Sequence, residues 1–331
     1  MPAAFHPWPI MTLDRNLPTR VRITDVSPRD GLQNEAALIS TADKCHLVEL
    51  LAATGVDEIE VTSFVSPKWV PQLGDAAELL AMVGALPEFA PGPSGPMLSA
   101  LVPNEKGLQG LLSANQAAGR TLVKKASVFT AASEEFSRRN TNATIAETLE
   151  RFKPVVREAH GSSLVIRGYV SCVIACPFEG PIAPSKVAEV CLKLIDLGVD
   201  ELDLGDTIGA ATPESTRSLF EHLQSVPALV SALARVPITL HLHDTFGRAA
   251  ECVTVALDMG VRSFDASAGG LGGCPYASTR NADGTTRRAP GNIATETLVR
   301  AVHAAGYTTN VDLDALARAA EFARGLTNRL P

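Results

Sequence analysis

The strongest constraint on the fold is a regular alternation of short β-rich segments with longer amphipathic segments. The β-rich segments are apolar or β-branched runs of strand length, and the longer ones repeat apolar residues at helical spacing. Several helices carry boundary signals, such as Ser185 at the start of one and Gly198 just after its end. The predicted strands are Val21–Ser27, Glu58–Phe64, Met97–Val102, Leu122–Thr130, Leu164–Ser171, Glu201–Leu204, Ile238–Leu242 and Ser263–Ala266. The predicted helices between them are Thr41–Thr54, Ala76–Leu86, Glu105–Ala118, Ile145–Ala159, Pro184–Leu197, Pro213–Val226 and Ala249–Met259.

This order indicates an α/β fold of the (β/α)8 type, a TIM barrel of eight parallel strands ringed by helices. Three helix-to-strand junctions repeat the same pattern of a glycine, a short turn and a strand, at Gly55, Gly198 and Gly260. A doubly wound open sheet is the alternative. It is disfavoured because no GxGxxG sequence follows the first strand.

The chain divides into three predicted parts. Residues 1–20 have no apolar targeting core and are predicted to be a loose N-terminal extension. Residues 21–294 form the predicted barrel, and residues 295–331 contain extra C-terminal helices, Thr295–Ala305 and Asp312–Leu326, that pack on it. The proline- and glycine-rich stretch Ala90–Pro96 is predicted to be a loop.

Composition narrows the class of protein. The net charge of −7 disfavours nucleic acid as the main partner. No apolar run reaches the roughly 20 residues needed to cross a bilayer, so no membrane partner is expected. The six scattered cysteines lack the CxxC spacing of zinc sites, which favours reduced thiols and a cytoplasmic location.

A His-x-His sequence ends the seventh predicted strand. Side chains alternate between the two faces of a strand, so His241 and His243 project from the same face. Two neutral imidazoles side by side are half of a divalent metal site, although they are also compatible with a hydrogen-bonded pair of core histidines.

Other polar residues lie at or near the C-terminal ends of strands, where barrels place their active sites. Asp30 follows the first strand and adds a carboxylate to the two imidazoles. With one more oxygen ligand and water, this set suits Mg²⁺ or Mn²⁺ better than structural Zn²⁺. Glu60 lies within an apolar strand, where a carboxylate is costly unless it is paired. Asp206 is placed either to act in the site or to cap the next helix.

Several stretches in order and spacing resemble the 3-hydroxy-3-methylglutaryl-CoA (HMG-CoA) lyases, a family of metal-dependent aldolase/Claisen barrels. The resemblance runs from about residue 21 to residue 326. It is carried by Arg29–Glu35, Thr62–Gln72, Arg167–Cys172, Gly205–Gly209, His241–Thr245 and Gly270–Ala277.

The resemblance implies cleavage of an HMG-CoA thioester to acetyl-CoA and acetoacetate, assisted by a divalent cation, Mg²⁺ or Mn²⁺. It implies that the metal ligands are Asp30, His241, His243 and Asn292. It also implies catalytic roles for Arg29, Cys274, His241, Glu60 and Asp206, and substrate contacts from Arg29, Gln33, Tyr169 and Asp206. The implied partners are an acyl-CoA thioester and a second copy of the chain in a homodimer.

The chain departs from the family pattern after the glycine-rich loop. A longer polar stretch, Ser278–Pro290, separates Cys274 from Asn292, and Asn281 within it is an alternative ligand. We prefer Asn292 because Gly291–Glu296 keeps the family context. The arginines of this stretch suggest a lid that reaches the CoA phosphates or the rim of a larger acyl pocket, while a surface excursion without a role is equally compatible.

Three other functions remain open. The same barrel chemistry serves a lyase for a longer branched 3-hydroxyglutaryl-CoA. It also serves a synthase that condenses acetyl-CoA with a 2-oxo acid, although those enzymes carry a longer C-terminal region. A metal-binding barrel without catalysis is disfavoured because Arg29, Glu60, Asp206 and Cys274 are all present.

Overall fold

Eight parallel strands close into a barrel in the computed structural model, which describes residues 19–91, 95–273, 279–280, 286–287 and 290–327. Neighbours in the ring are also neighbours in the chain, and the last strand closes on the first. This confirms the predicted TIM barrel. The strands are β1 Arg22–Asp25, β2 Glu58–Ser63, β3 Met97–Leu101, β4 Val123–Ala131, β5 Val165–Ser171, β6 Glu201–Asp206, β7 Ile238–Leu242 and β8 Ser263–Ala266.

Helices surround the strands on the outside. Their apolar faces and the outward side chains of the strands, such as Ile59 and Leu204, form one continuous core. Serine and threonine caps begin several helices, and Gly198 at φ 103° ends one of them. The helices are α1 Thr41–Ala52, α2 Ala76–Gly84, α3 Glu105–Ala117, α4 Glu134–Thr141, α5 Ile145–Gly161, α6 Pro184–Leu197, α7 Pro213–Ser225, α8 Pro227–Leu233, α9 Ala249–Asp258, α10 Thr295–Ala304 and α11 Leu313–Thr327.

Two of these helices were not predicted, namely α4 and α8. Both are short, with eight and seven residues, so each offers too few turns for an apolar repeat to stand out. Their starts are nevertheless encoded locally. The Ser133 side chain accepts a hydrogen bond from the Phe136 amide, and Pro227 occupies the first turn of α8.

The residues near both ends of the described chain contact other parts of the fold. Arg20 pairs with Thr308 through a β-bridge and with Asp57 through an ion pair, so the end of the predicted N-terminal extension is tied to the barrel. Helix α10 packs against α9, and α11 packs against α1 and α10. Residues 1–18 and 92–94 lie outside the described residues, and the division of the chain at residue 294 stays a prediction.

The interior of the barrel is charged rather than apolar. Lys125 lies between Glu58 and Glu201, with its Nζ 2.6 Å from a carboxylate oxygen of each. Arg167 joins the same two carboxylates at 3.2 and 2.8 Å. Because each buried charge has a partner of opposite sign, this ionic core is compatible with burial. Among the described residues, no helix is both long and apolar enough to cross a membrane.

Candidate metal centre and active site

Three predicted ligands meet at the C-terminal mouth of the barrel. Asp30 lies on a single π-helical turn, Ser27–Gly31, that directly follows β1. His241 is on β7, and His243 lies just beyond its end. Potential ligand atoms of these three residues all lie within 4.8 Å of one another. The strand alternation that predicted both imidazoles on one face is thus confirmed, with the two ring centroids 5.2 Å apart.

Asn292 reaches the same place because its segment pairs with the end of β7. His243 and Asn292 form an antiparallel bridge, and the amides of Asp244 and Ile293 donate to Gly291 O and Leu242 O. The Asn292 amide nitrogen donates to Asp30 Oδ2 at 2.8 Å and to Leu271 O at 3.0 Å. These bonds turn the amide oxygen away from both partners.

The residues present fit a divalent cation. Asn292 Oδ1 and His243 Nδ1 are buried, and the described residues offer neither atom a hydrogen-bond partner. Buried polar atoms are normally paired, so these two atoms beside Asp30 and His241 are suited to bind a cation. Carboxylate and amide oxygens with imidazole nitrogens suit Mg²⁺ or Mn²⁺.

The two histidines differ in their electrostatics. Burial and the neighbouring His241 lower the pKa of His243 to about 4, which keeps it neutral and able to bind a metal. Burial alone would also lower the pKa of His241. Its hydrogen bond to Asp265 and the charge of that carboxylate outweigh burial and raise the pKa above its usual value.

Arg29 is held beside the ligands by two carboxylates. Its Nε and NH2 both lie 2.5 Å from Glu60 Oε2, and its NH1 lies 2.7 Å from Asp30 Oδ1. Burial opposes the charge, but Glu60 and Asp30 raise the pKa of Arg29 well above its usual range. The same arginine and the two histidines lower the pKa of Asp30 despite its burial. Arg29 is therefore the partner that the buried Glu60 was expected to need.

Gln33 and Tyr169 also contact this pair of residues, Asp30 and Arg29. The Gln33 amide donates to Asp30 Oδ1 at 2.9 Å. The ring of Tyr169 lies 5.7 Å from the guanidinium of Arg29, and its hydroxyl points inward and donates to Asp265 Oδ2 at 3.2 Å. The substrate contacts of both residues stay predictions.

Asp206 organises its own loop. Its two carboxylate oxygens accept hydrogen bonds from the amides of Ala210 and Ala211 at 3.0 and 2.8 Å. Burial raises its pKa to about 6 even though these bonds and the nearby His241 lower it. Helix α7 is capped by Thr212, whose side chain accepts from the Ser215 amide, so the capping interpretation of Asp206 is wrong. The catalytic and substrate-binding roles of Asp206 stay predictions.

The glycine-rich loop approaches the ligands through Gly272. This residue has a φ of 97°, and a Cβ atom there would lie 2.6 Å from Asn292 Nδ2, so only glycine fits. Cys274 and Asn281 lie outside the described residues, so their predicted roles are untested. Within the longer polar stretch, Thr279–Arg280 and Thr286–Arg287 pair as a short antiparallel ladder.

Asp265 is the main site residue that the sequence analysis missed. It lies on β8, is fully buried, and accepts from His241 Nδ1 at 3.2 Å. A usable signal was present, because Glu58, Lys125, Arg167 and Glu201 also stand in predicted strands at inward positions. Charged residues repeated at one face of buried strands predict a charged barrel interior.

Residues 20–323 match the model of the HMGL-like family. The chain is 46% identical over 298 residues to the hydroxymethylglutaryl-CoA lyase of Pseudomonas mevalonii, covering 90% of this chain and 89% of that protein. It is 43% identical over 313 residues to the mitochondrial hydroxymethylglutaryl-CoA lyase of Arabidopsis thaliana. That match covers 94% of this chain but only 60% of the longer relative.

The chain is also similar to solved structures of HMG-CoA lyases. The HMG-CoA lyase of Brucella melitensis has a TM-score of 0.80 at 42% identity, with 94% of this chain and 99% of that chain covered. An HMG-CoA lyase from Acinetobacter baumannii, in complex with coenzyme A and 3-methylmalate, has a TM-score of 0.79 at 31% identity. That match covers 94% of this chain and 92% of the other chain.

Proposed function

The chain belongs to the HMGL-like family, and from this membership we propose that it cleaves HMG-CoA to acetyl-CoA and acetoacetate. The observation that carries the proposal is that Asp30, His241, His243 and Asn292 meet at one place, with Arg29 beside them. Two of their buried atoms, His243 Nδ1 and Asn292 Oδ1, have no hydrogen-bond partner among the described residues. The reaction breaks one carbon–carbon bond, which makes the protein a carbon–carbon lyase.

Asp30, His241, His243 and Asn292 would hold the divalent cation, Mg²⁺ or Mn²⁺. A bound cation lowers the pKa of a coordinated hydroxyl, here the tertiary hydroxyl of the substrate. The neutral His243 and the ionised Asp30 are both in the protonation states that such binding requires. Gln33 keeps Asp30 oriented through its amide.

Arg29 would stabilise the negative charge that develops on the thioester oxygen. When the hydroxyl proton leaves and the carbon–carbon bond breaks, the hydroxyl carbon becomes the ketone of acetoacetate and the thioester becomes an enolate. A guanidinium fixed in advance by Glu60 and Asp30 needs no reorganisation to meet that charge. Its raised pKa keeps it cationic throughout.

Two proton transfers complete the reaction. A His241 ring that donates to Asp265 through Nδ1 and offers Nε2 to the cation has no free lone pair, so we propose that a water in the site, rather than the ring itself, takes the hydroxyl proton to solvent. The enolate carbon then takes up a proton to form the acetyl group, and Cys274 is the proposed donor or the residue that closes the site. Asp206 would orient the substrate and the cation, and Tyr169 would contact the acyl portion of the substrate.

The test is to incubate the purified protein with Mg²⁺ and HMG-CoA. Acetoacetate and acetyl-CoA in equal amounts, lost with EDTA and restored by Mg²⁺ or Mn²⁺, would support the lyase. Product from a longer branched 3-hydroxyglutaryl-CoA alone would favour the variant lyase. Free CoA released from acetyl-CoA and a 2-oxo acid would favour the synthase.

Other parts of the proposal rest on the family and the sequence. An acyl-CoA thioester is the proposed partner, in line with a relative crystallised with coenzyme A. A homodimer and a cytoplasmic location are proposed as well, and light scattering of the purified protein tests the dimer.

A further inference from the structure

We propose that Asp265 is a positioning residue that fixes the tautomer and ring orientation of His241. It thereby couples the metal site to the ionic core of the barrel. The inference builds on the proposed metal site, but it concerns the histidine itself and is measurable without substrate.

The contacts at His241 are specific to one ring nitrogen. Nδ1 of His241 lies 3.2 Å from Asp265 Oδ2, and a carboxylate can only accept, so Nδ1 must carry the hydrogen. In the neutral ring this leaves the lone pair on Nε2. Nε2 is therefore the atom available to a cation held with Asp30 and His243.

Asp265 is itself held from two further directions. The Tyr169 hydroxyl donates to Oδ2 at 3.2 Å, and Arg167 NH1 lies 3.4 Å from Oδ1. All three residues are buried, so solvent does not compete for the hydrogen bond between His241 Nδ1 and Asp265. Carboxylates that bind the second nitrogen of a metal-ligating histidine orient the ring and increase its basicity.

Arg167 extends the connection to the far side of the barrel. It pairs with Glu201 and Glu58, and Lys125 bridges those two carboxylates. His241 is thus the inner end of a continuous chain of buried contacts that begins at Lys125. Asp265 is the link in that chain that touches the proposed ligand.

Glu58 provides a matched control. It is a buried carboxylate of the same ionic core, 2.6 Å from Lys125 Nζ and 3.2 Å from Arg167 NH2. Asp265→Asn and Glu58→Gln therefore each replace one buried carboxylate of this network with an amide. Only the first replaces the carboxylate that accepts from His241 Nδ1.

The experiment titrates metal-free protein with Mn²⁺ alone by calorimetry and records ¹⁵N NMR of the histidine rings, with His241 assigned through His241→Gln. We expect Asp265→Asn to weaken Mn²⁺ binding by about 10- to 100-fold and to alter the tautomer signal of His241. Glu58→Gln should change the affinity by less than about threefold, because Glu58 contacts Lys125 and Arg167 and not the histidine. Equal losses in both variants would show a general charge effect and overturn the proposal.

The unsubstituted protein supplies a test that survives if Asp265→Asn does not fold. Its metal-free form should show His241 with hydrogen on Nδ1, and hydrogen on Nε2 alone would overturn the inference. A protein that has this tautomer but binds no Mn²⁺ at His241 would refute the proposed metal site instead. The two failures are therefore distinguishable.

Discussion

Asn292 Nδ2 lies 2.8 Å from Asp30 Oδ2, although 262 positions separate the two residues in the chain. The contact exists because β8 pairs with β1 and closes the barrel, which brings the segment after β8 against the turn after β1. The bond also fixes which end of the amide is free, since the nitrogen is used and Oδ1 is left without a hydrogen-bond partner among the described residues.

Asn292→Ala should weaken Mn²⁺ binding by at least about tenfold, because a proposed ligand oxygen and the orienting bond to Asp30 are both lost. Calorimetry on the metal-free protein measures the effect. The matched variant is Asn281→Ala in the neighbouring polar stretch, which should keep the original affinity. The reverse pattern would assign the ligand to Asn281.

Arg29→Lys should reduce kcat for HMG-CoA by about 100-fold or more, as expected when a preorganised donor is lost. Lysine keeps the charge but cannot contact Glu60 and Asp30 through a planar fork. Steady-state kinetics provides the measurement, and Arg139→Lys, in an exposed pair with Glu135, is the control. An Arg29→Lys enzyme with undiminished kcat would refute the proposed role.

The ionisation of Asp25 should make the free energy of unfolding depend on pH. Burial raises its pKa to about 6 from 3.8 in spite of the hydrogen bonds from Ser27, Thr295 and Ala268. Between these values the folded protein holds a proton that the unfolded chain has released. The resulting stabilisation of the folded protein is complete below pH 3.8 and is lost as the pH rises through 6.

The measurement is urea unfolding of the wild-type protein and Asp25→Asn at pH 5 and pH 7.5. The wild type should gain about 1 kcal/mol relative to the variant on going from pH 7.5 to pH 5. Using the difference cancels the titration of groups common to both proteins. A difference that is constant, or larger at pH 7.5, would contradict the prediction.

Lys125→Met should lower the free energy of unfolding by about 3 to 5 kcal/mol, because Glu58 and Glu201 would stay buried without their shared cation. Lys193→Met removes an exposed pair with Glu189 on α6 and should cost less than about 1 kcal/mol. Denaturant unfolding of both variants at one pH gives the comparison. Equal costs would mean that the ionic core contributes no more than a surface pair.

Most strands and long helices could be predicted because their signals are local. The range Ile238–Leu242 and the range Pro184–Leu197 are bounded in the structure where the sequence placed them. Helix α4 was missed because eight residues carry little periodicity. The turn after β1 was not predicted as π-helical, since no residue pattern in Ser27–Gly31 distinguishes that turn from a loop.

In the candidate site, too, contacts within one element could be predicted and contacts between elements could not. His241 and His243 could be placed together from strand alternation alone, because both belong to one element. The pairing of Glu60 with Arg29 instead joins two elements, β2 and the turn after β1, and depends on how they pack. Sequence reasoning indicated that Glu60 needs a partner but could not identify it from charge alone.

By itself, the sequence determined the order of strands and helices and the polar residues that follow each strand, because periodicity, caps and side-chain chemistry act over a few residues. Only the tertiary structure decided that Asp265 holds His241 and that Lys125 lies between Glu58 and Glu201. Those contacts depend on the relative register of strands in a closed ring. Register is set by the packing of all eight strands together, and no single segment encodes it.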